Sequence, residues 1–240
     1  MTVDFNLLDF PQNRLLRKLP EADLSLLQPH LELVALERAK QLEHPQRPIE
    51  HLYFMESGIT SVVVSRGWSV PVEVGLIGRE GVTGLAVILG NVSSPHSTFI
   101  QAAGTALRIA VPPFRKALDR SDALRNLLLR YVHVHMVQIA QTAAANAKGS
   151  IEERLARWLL MAHDRIDDER LPLTHEFLAV MLGTRRPGAT EAVHALIDRG
   201  LIRTNRGVIL VVDREGLVAR AGKFYGEPEA EYRKVLGAAE

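Results

Sequence analysis

The 240-residue chain contains no cysteine. That excludes disulfides, thiolate catalysis, cysteine-ligated zinc and cysteine-bound iron–sulfur clusters. It also lacks any apolar run approaching the ~18 residues that suggest a membrane span. The opening MTVDFNLLDF carries two aspartates and no basic residue, unlike a secretory signal. With no disulfide chemistry, the expected compartment is the cytoplasm, and no membrane partner is expected. No Gly-x-Ser-x-Gly elbow is present for a serine hydrolase. Nine histidines are available, but a β-roll metal site needs two close histidines and a glutamate on neighbouring strands. The one His-x-His pair, His133 and His135, falls in a helical stretch and points to different faces, while His51 and His96 are isolated. No catalytic residue, no metal ligand and no enzyme activity are therefore expected.

Net charge is also nearly missing, at +1, which argues at first against a nucleic-acid partner. Its distribution reverses that inference. Residues 1–123 sum to −1, residues 124–149 to +3 with no acid at all, and residues 224–240 to −2. Residues 183–207 hold Arg185, Arg186, Arg199, Arg203 and Arg206 against Glu191 and Asp198, again +3. Positive charge is local, as a groove-reading surface requires on a neutral chain.

What is present divides the chain into four stretches. Residues 1–123 begin with short helical pieces and continue, from about 34 to 112, as short β-branched runs such as Ile59-Thr-Ser-Val-Val-Val, punctuated by Gly and Pro. That texture predicts an antiparallel, jelly-roll-like β roll. Residues 114–147 contain neither Gly nor Pro and read as one long helix. Within it Leu129, Val132, Met136, Ile139 and Ala143 recur at spacings of 3 and 4, predicting a dimer seam on a helix spanning 124–148. Residues 149–225 follow a break at Gly149-Ser150 and open with an amphipathic helix over 152–166. Residues 226–240 read as a polar, frayed tail.

The most informative motif lies in residues 173–202. Thr174 is a good N-cap for a short helix carrying Phe177, Leu178, Met181 and Leu182. Gly183 supplies the tight turn, and Pro187 fits the first turn of a second helix with Ala189, Ala192, Val193, Leu196 and Ile197 inward. This is a helix–turn–helix, and the basic-tipped hairpin predicted after it, around Asn205-Arg206-Gly207, makes it a winged helix. A major groove about 12 Å wide admits one helix. The second helix, about 186–199, would turn Arg185, Arg186, Thr190, Glu191 and His194 toward bases. Thr174 and His175 at the first helix, and Arg203 and Arg206 on the wing, would contact the backbone.

Three stretches then carry a resemblance: Leu52-Tyr-Phe-Met-Glu-Ser-Gly, Glu153-Arg-Leu-Ala-Arg-Trp-Leu-Leu, and residues 173–202 with Thr174, Gly183, Arg186, Leu201 and Ile202 in register. In these, and in the order of its parts, the chain resembles the Crp/Fnr family of bacterial transcription regulators. The resemblance implies an α+β protein with a cyclic-nucleotide-binding-like roll, a long dimerisation helix and a C-terminal winged helix. It implies a homodimer on double-stranded DNA, with RNA polymerase as a further partner. It also exposes departures. Where the cAMP-responsive members carry a Gly-Glu pair and then an Arg-Ser pair, this chain reads Gly84-Leu85-Ala86 and His96-Ser97-Thr98. Without the planar, permanently charged Arg there is no bidentate phosphate clamp, so cAMP is not expected as effector and no cofactor is expected. The recognition helix carries Arg186-Pro187 and then Glu191, so only the first arginine of the family's frequent Arg-Glu-x-x-x-Arg is kept. The alternative reading is a roll that senses haem or another ligand, with a winged helix that binds protein.

Overall fold

The computed structural model describes residues 11–64, 71–166, 170–173 and 175–237. Among the described residues seven strands precede the long helix: β1 (Glu32–Leu36), β2 (Gln41–Glu43), β3 (His51–Met55), β4 (Ile59–Val64), β5 (Val72–Ile77), β6 (Ser97–Ala102) and β7 (Gly104–Ala110). A one-turn helix, α1 (Glu21–Leu24), precedes β1, and another, α2 (Leu85–Ile88), lies between β5 and β6. The chain forms two compact units. The first is Met1–Thr60, Ile77–His133 and Leu236–Glu240, and the second is Ser61–Leu76 and Val134–Val235.

In the first unit β7 is flanked antiparallel by β1 and β3, with Leu33 opposite Leu107 and Phe54 opposite Leu107 on the other side. Strand β2 pairs antiparallel with β6 through a bulge. The expected β roll is present, and its interior is filled by Leu36, Leu52, Phe54, Met55, Ile100, Leu107 and Phe114. Asn13 is buried there without polar debt: its amide donates to the carbonyls of Met55 (3.0 Å) and Gly81 (2.8 Å), and its Oδ1 accepts from the N–H groups of Leu15 and Leu16.

The stretch free of Gly and Pro is two helices rather than one. Helix α3 (Val111–Arg120) takes Pro112 and Pro113 into its first turn, where a missing N–H costs nothing. Helix α4 (Asp122–Lys148) starts afresh after Ser121, whose backbone is extended (φ −132°, ψ 106°). The Ser121 hydroxyl accepts from Leu124 N at 2.9 Å and donates to Asp23 at 2.5 Å. A serine that competes with the backbone and caps the next turn divides a helix without Gly or Pro.

In the second unit, α5 (Ile151–His163) is opened by a full capping box. Glu153 N donates to Ser150 Oγ at 3.3 Å, and Ser150 N donates to the Glu153 carboxylate at 2.7 Å. Strand β8 (Arg170–Pro172), helices α6 (His175–Met181) and α7 (Arg186–Asp198), and strands β9 (Ile202–Asn205) and β10 (Val208–Val211) follow, then α8 (Arg214–Ala221) and α9 (Glu227–Leu236). The sequence reading expected a polar tail at 226–240. Residues 227–236 are instead helical, with Pro228, Tyr232 and Leu236 buried at spacings of four. Among the described residues no helix is long and apolar enough to cross a membrane.

Candidate nucleic-acid interface

Three helices and a three-stranded sheet build the candidate site in the second unit. Leu155, Leu159 and Ala162 of α5, Leu178 and Met181 of α6, and Ala189, Ala192, Val193 and Leu196 of α7 are buried. Four of the five residues read as the inner face of α7 are thus buried, and Ile197 is half-buried. Gly183 sits in the turn between α6 and α7 at φ +54°, a conformation that costs an L-residue roughly 1–2 kcal/mol. Helix α8 is capped by Asp213, which accepts from Gly216 N at 2.8 Å. It is fastened to α5 by Arg220, whose Nε and Nη2 donate to Glu152 Oε2 at 2.9 and 2.7 Å.

With that inner face fixed, the outer face follows. Arg185, Arg186, Glu191 and His194 are exposed, and Pro187, Glu191, His194 and Asp198 run along α7 at spacings of four, three and four. Thr190 is half-buried, and its hydroxyl donates to the Arg186 carbonyl at 3.0 Å, so it is turned back along its own helix. No side chain caps the N-terminus of α7. Arg199, counted in the basic segment, lies 3.7 Å from Glu152 and is spent on holding α7 to α5. His175 begins α6, while Thr174 lies outside the described residues.

The wing has more strands than the hairpin read from the sequence. Strand β10 pairs with β9 and, on its other edge, with β8, giving the order β8-β10-β9. At the tip Asn205 pairs with Val208 across Arg206 (φ +44°) and Gly207 (φ +80°). Positive φ at both central residues is the type I′ turn that fits the twist of a two-residue hairpin. Gly207 adopts it freely, and Arg206 does so under strain. Arg203 and Arg206 are both exposed.

The first unit holds the candidate effector residues. Gly84 (φ +76°) precedes α2, in which Leu85 and Ala86 are half-buried, and a Cβ on Gly84 would stand 2.7 Å from Leu52 Cγ. Thr98 is buried on β6, with His96 and Ser97 half-buried beside it. A residue absent from the sequence reading joins these groups. Glu43 on β2 is buried opposite Thr98, and its carboxylate accepts the Gly84 N–H at 2.8 Å. Burial pushes its carboxyl above the usual range, while the bonds from Gly84 and Thr98 pull it back. Only its pairing register with Thr98 points to it, and register is not visible in a single sequence. Among the described residues no cluster of three or more His, Asp or Glu side chains could hold a metal.

The residues of the expected dimer seam divide between two faces of α4. Leu129 (43% exposed), Met136 (62%) and Ala143 are exposed, but Val132 is buried and Ile139 half-buried. The open stripe runs one residue later at alternate steps: Leu129, His133, Met136, Ala140, Ala143 and Ala147, spaced four and three.

Fold and site together define a winged helix that follows an antiparallel β roll in the chain. Residues 153–220 match the Crp-like helix-turn-helix domain. Solved structures with this fold include a Crp/Fnr-family regulator from Eubacterium rectale (TM-score 0.68, 16% identity, 86% of this chain and 97% of that one). FixK2 from Bradyrhizobium japonicum matches with TM-score 0.69 at 13% identity, over 80% and 98%. The c-di-GMP-responsive global regulator CLP of Xanthomonas campestris matches with TM-score 0.63 at 15% identity, over 80% and 99%. No curated protein sequence matches the chain. Residues 153–220 are thus a Crp-like helix-turn-helix domain, and the fold of the chain is the one seen in these Crp/Fnr-family regulators.

Proposed function

We propose that the protein is a homodimer that reads a roughly palindromic DNA site by placing α7 of each protomer in the major groove. The observation that carries this reading is the outer face of α7, where Arg185, Arg186, Glu191 and His194 are exposed together behind a left-handed glycine turn. Arg186 and Arg185 enter first, at the uncapped N-terminus whose N–H groups suit a phosphate. Arg203 and Arg206 contact the backbone beside the groove. Thr190 contributes its methyl group rather than its hydroxyl, which α7 already uses. The half-sites lie about one helical turn apart.

Pairing of α4 with its copy supplies the dimer, through the exposed stripe from Leu129 to Ala147 rather than through Val132 and Ile139. The small Ala140, Ala143 and Ala147 let two helices approach closely, and Leu129 and Met136 provide the apolar area. The first unit acts as sensor, with an effector other than cAMP. The Glu43 carboxylate already accepts the Gly84 N–H, so a phosphate brought to that corner would meet a like charge instead of an arginine. Selection of duplexes from a random pool, followed by footprinting, tests the whole reading. A single enriched two-fold site is the expected result, and the absence of enrichment refutes it.

A further inference from the structure

Strands β4 and β5 carry a buried acid that belongs to none of the surfaces above. Glu73 on β5 is buried within the second unit. Its Oε2 accepts from Ser61 Oγ on β4 at 2.5 Å, and its Oε1 accepts from the indole Nε1 of Trp158 on α5 at 2.6 Å. Ser61 Oγ also lies 4.0 Å from Met181 Sδ on α6. Val72, next to Glu73, lies 3.6 Å from where a Cβ on Gly183 would stand. The same two strands therefore touch the first helix of the winged helix and the turn that launches α7.

The charged and titratable neighbours are Arg154 and Arg157 on α5, Arg165 beyond its end, and His135 on α4, whose ring lies against Gly75. Arg157 is buried, donates to Phe224 O (2.9 Å) and Thr142 Oγ1 (3.1 Å), and feels Glu229 on α9. The cavity bordered by Glu73, Arg157 and Trp158 holds about 10 Å³, room for no more than about one water. Glu73 therefore serves the protein's own contacts rather than a ligand.

We propose that Glu73 is a proton-controlled latch that fastens β4 and β5 to the winged helix when neutral and loosens them when ionised. A neutral carboxyl can donate its own O–H to Ser61 Oγ while still accepting from Trp158, so both bonds survive without a buried charge. Ionisation leaves a carboxylate in the same dry site, where Ser61 and Trp158 are neutral donors. Burial accordingly pushes the Glu73 carboxyl up from 4.5 to about 7, against the opposing pull of those bonds and of Arg157 and Arg165. The proton is bound more tightly when the latch is fastened. Fastening is therefore complete below pH 4.5 and is lost as pH rises toward 7. With the loosened acid titrating at 4.5, the fastening constant falls about 70-fold between pH 5 and 8.

Trp158 supplies the readout. The chain has two tryptophans, so a Trp68→Phe background leaves Trp158 as the only indole. Its emission is expected to shift between pH 5 and 8, with amide protection factors (exchange corrected for its intrinsic pH dependence) in β4, β5 and α5 falling in parallel. Glu73→Gln keeps both hydrogen bonds without a charge and is expected to hold the low-pH emission and protection factors throughout. Trp158→Phe, read by exchange alone, is expected to look loosened at every pH. A flat native profile, or a Glu73→Gln protein that still titrates (as it would if His135 were the responsive group), overturns the latch. The regulatory consequence rests on the DNA reading and is measured separately, on a duplex enriched from the random pool. Native affinity is expected to change at least about threefold between pH 6 and 8, and that of Glu73→Gln is not. An emission transition with flat affinity overturns the regulatory role, whereas failure to enrich any duplex overturns the DNA reading and leaves the latch decided by emission and exchange.

Discussion

Arg206 at the wing tip sets stability against binding in one residue. Its φ of +44° is left-handed, and an L-residue with a Cβ pays roughly 1–2 kcal/mol there. Arg206→Asn converts the tip to Asn-Gly, the pair favoured in a two-residue type I′ turn. Asparagine tolerates this region better than arginine but not freely, so about 0.5–1 kcal/mol of the strain should be recovered. In a chain of this size that raises the melting temperature of the second unit by about 1–4 °C. On the proposed mode of DNA binding, the same change would delete a phosphate contact from each protomer. The slope of log affinity against log salt should then shrink by about 0.9 per protomer, or roughly 2 for the dimer, with similar loss on matched and mismatched duplexes. Thermal unfolding and fluorescence anisotropy across a salt series measure the two halves. A lower melting temperature would refute the strain argument, and an unchanged salt slope would remove the wing from the interface.

Other substitutions test the remaining parts. Arg186→Ala should cost about 1–3 kcal/mol on the enriched duplex and relax base preference at one position per half-site, read by competition with point-substituted duplexes. Met136→Glu places a like charge from each copy at the centre of the exposed α4 stripe, and light scattering should then report a monomer with an unchanged circular-dichroism spectrum. Calorimetry with cAMP should give no binding heat in the native protein, and low-micromolar affinity would contradict the role given to Glu43. Gly81→Ala should destabilise the first unit by about 1–3 kcal/mol in denaturant titration, because a Cβ there collides with the ring and hydroxyl of Tyr131 on α4.

Much of the architecture was legible because it rests on local chemistry. The turn at Gly183, the inner face of α7 and the tip at Arg206-Gly207 each follow from residue type and short spacing; both turns stand as read, and four of the five inner residues of α7 are buried. Strand β8 was not legible, since a three-residue strand ahead of α6 acquires its identity only by pairing with β10. Helix α9 leaves a weak signal in the sequence: Pro228, Tyr232 and Leu236 at spacings of four within a stretch rich in charge.

The seam expected on α4 shows why a heptad period leaves the partner undecided. Leu129, Val132, Met136, Ile139 and Ala143 satisfy a heptad, and so do Leu129, His133, Met136, Ala140, Ala143 and Ala147. The two sets share three residues and differ by about one residue in phase. Hydrophobicity favours the first set, because Val and Ile outrank His and Ala. Yet a helix with its own protein on one side spends its β-branched residues there, and Val132 and Ile139 are drawn inward. What remains outside is small and less apolar, a surface suited to close helix approach rather than to deep interdigitation. The same limit governs Glu43 and Glu73. Glu43 sits between Leu42 and His44 and Glu73 between Val72 and Val74, and what each does depends on groups 41 and 85 positions away, at Gly84 and Trp158. Periodicity identifies which residues face inward. It does not identify which buried acid meets a backbone N–H and which meets an indole, and those two contacts are what set Glu43 apart from Glu73.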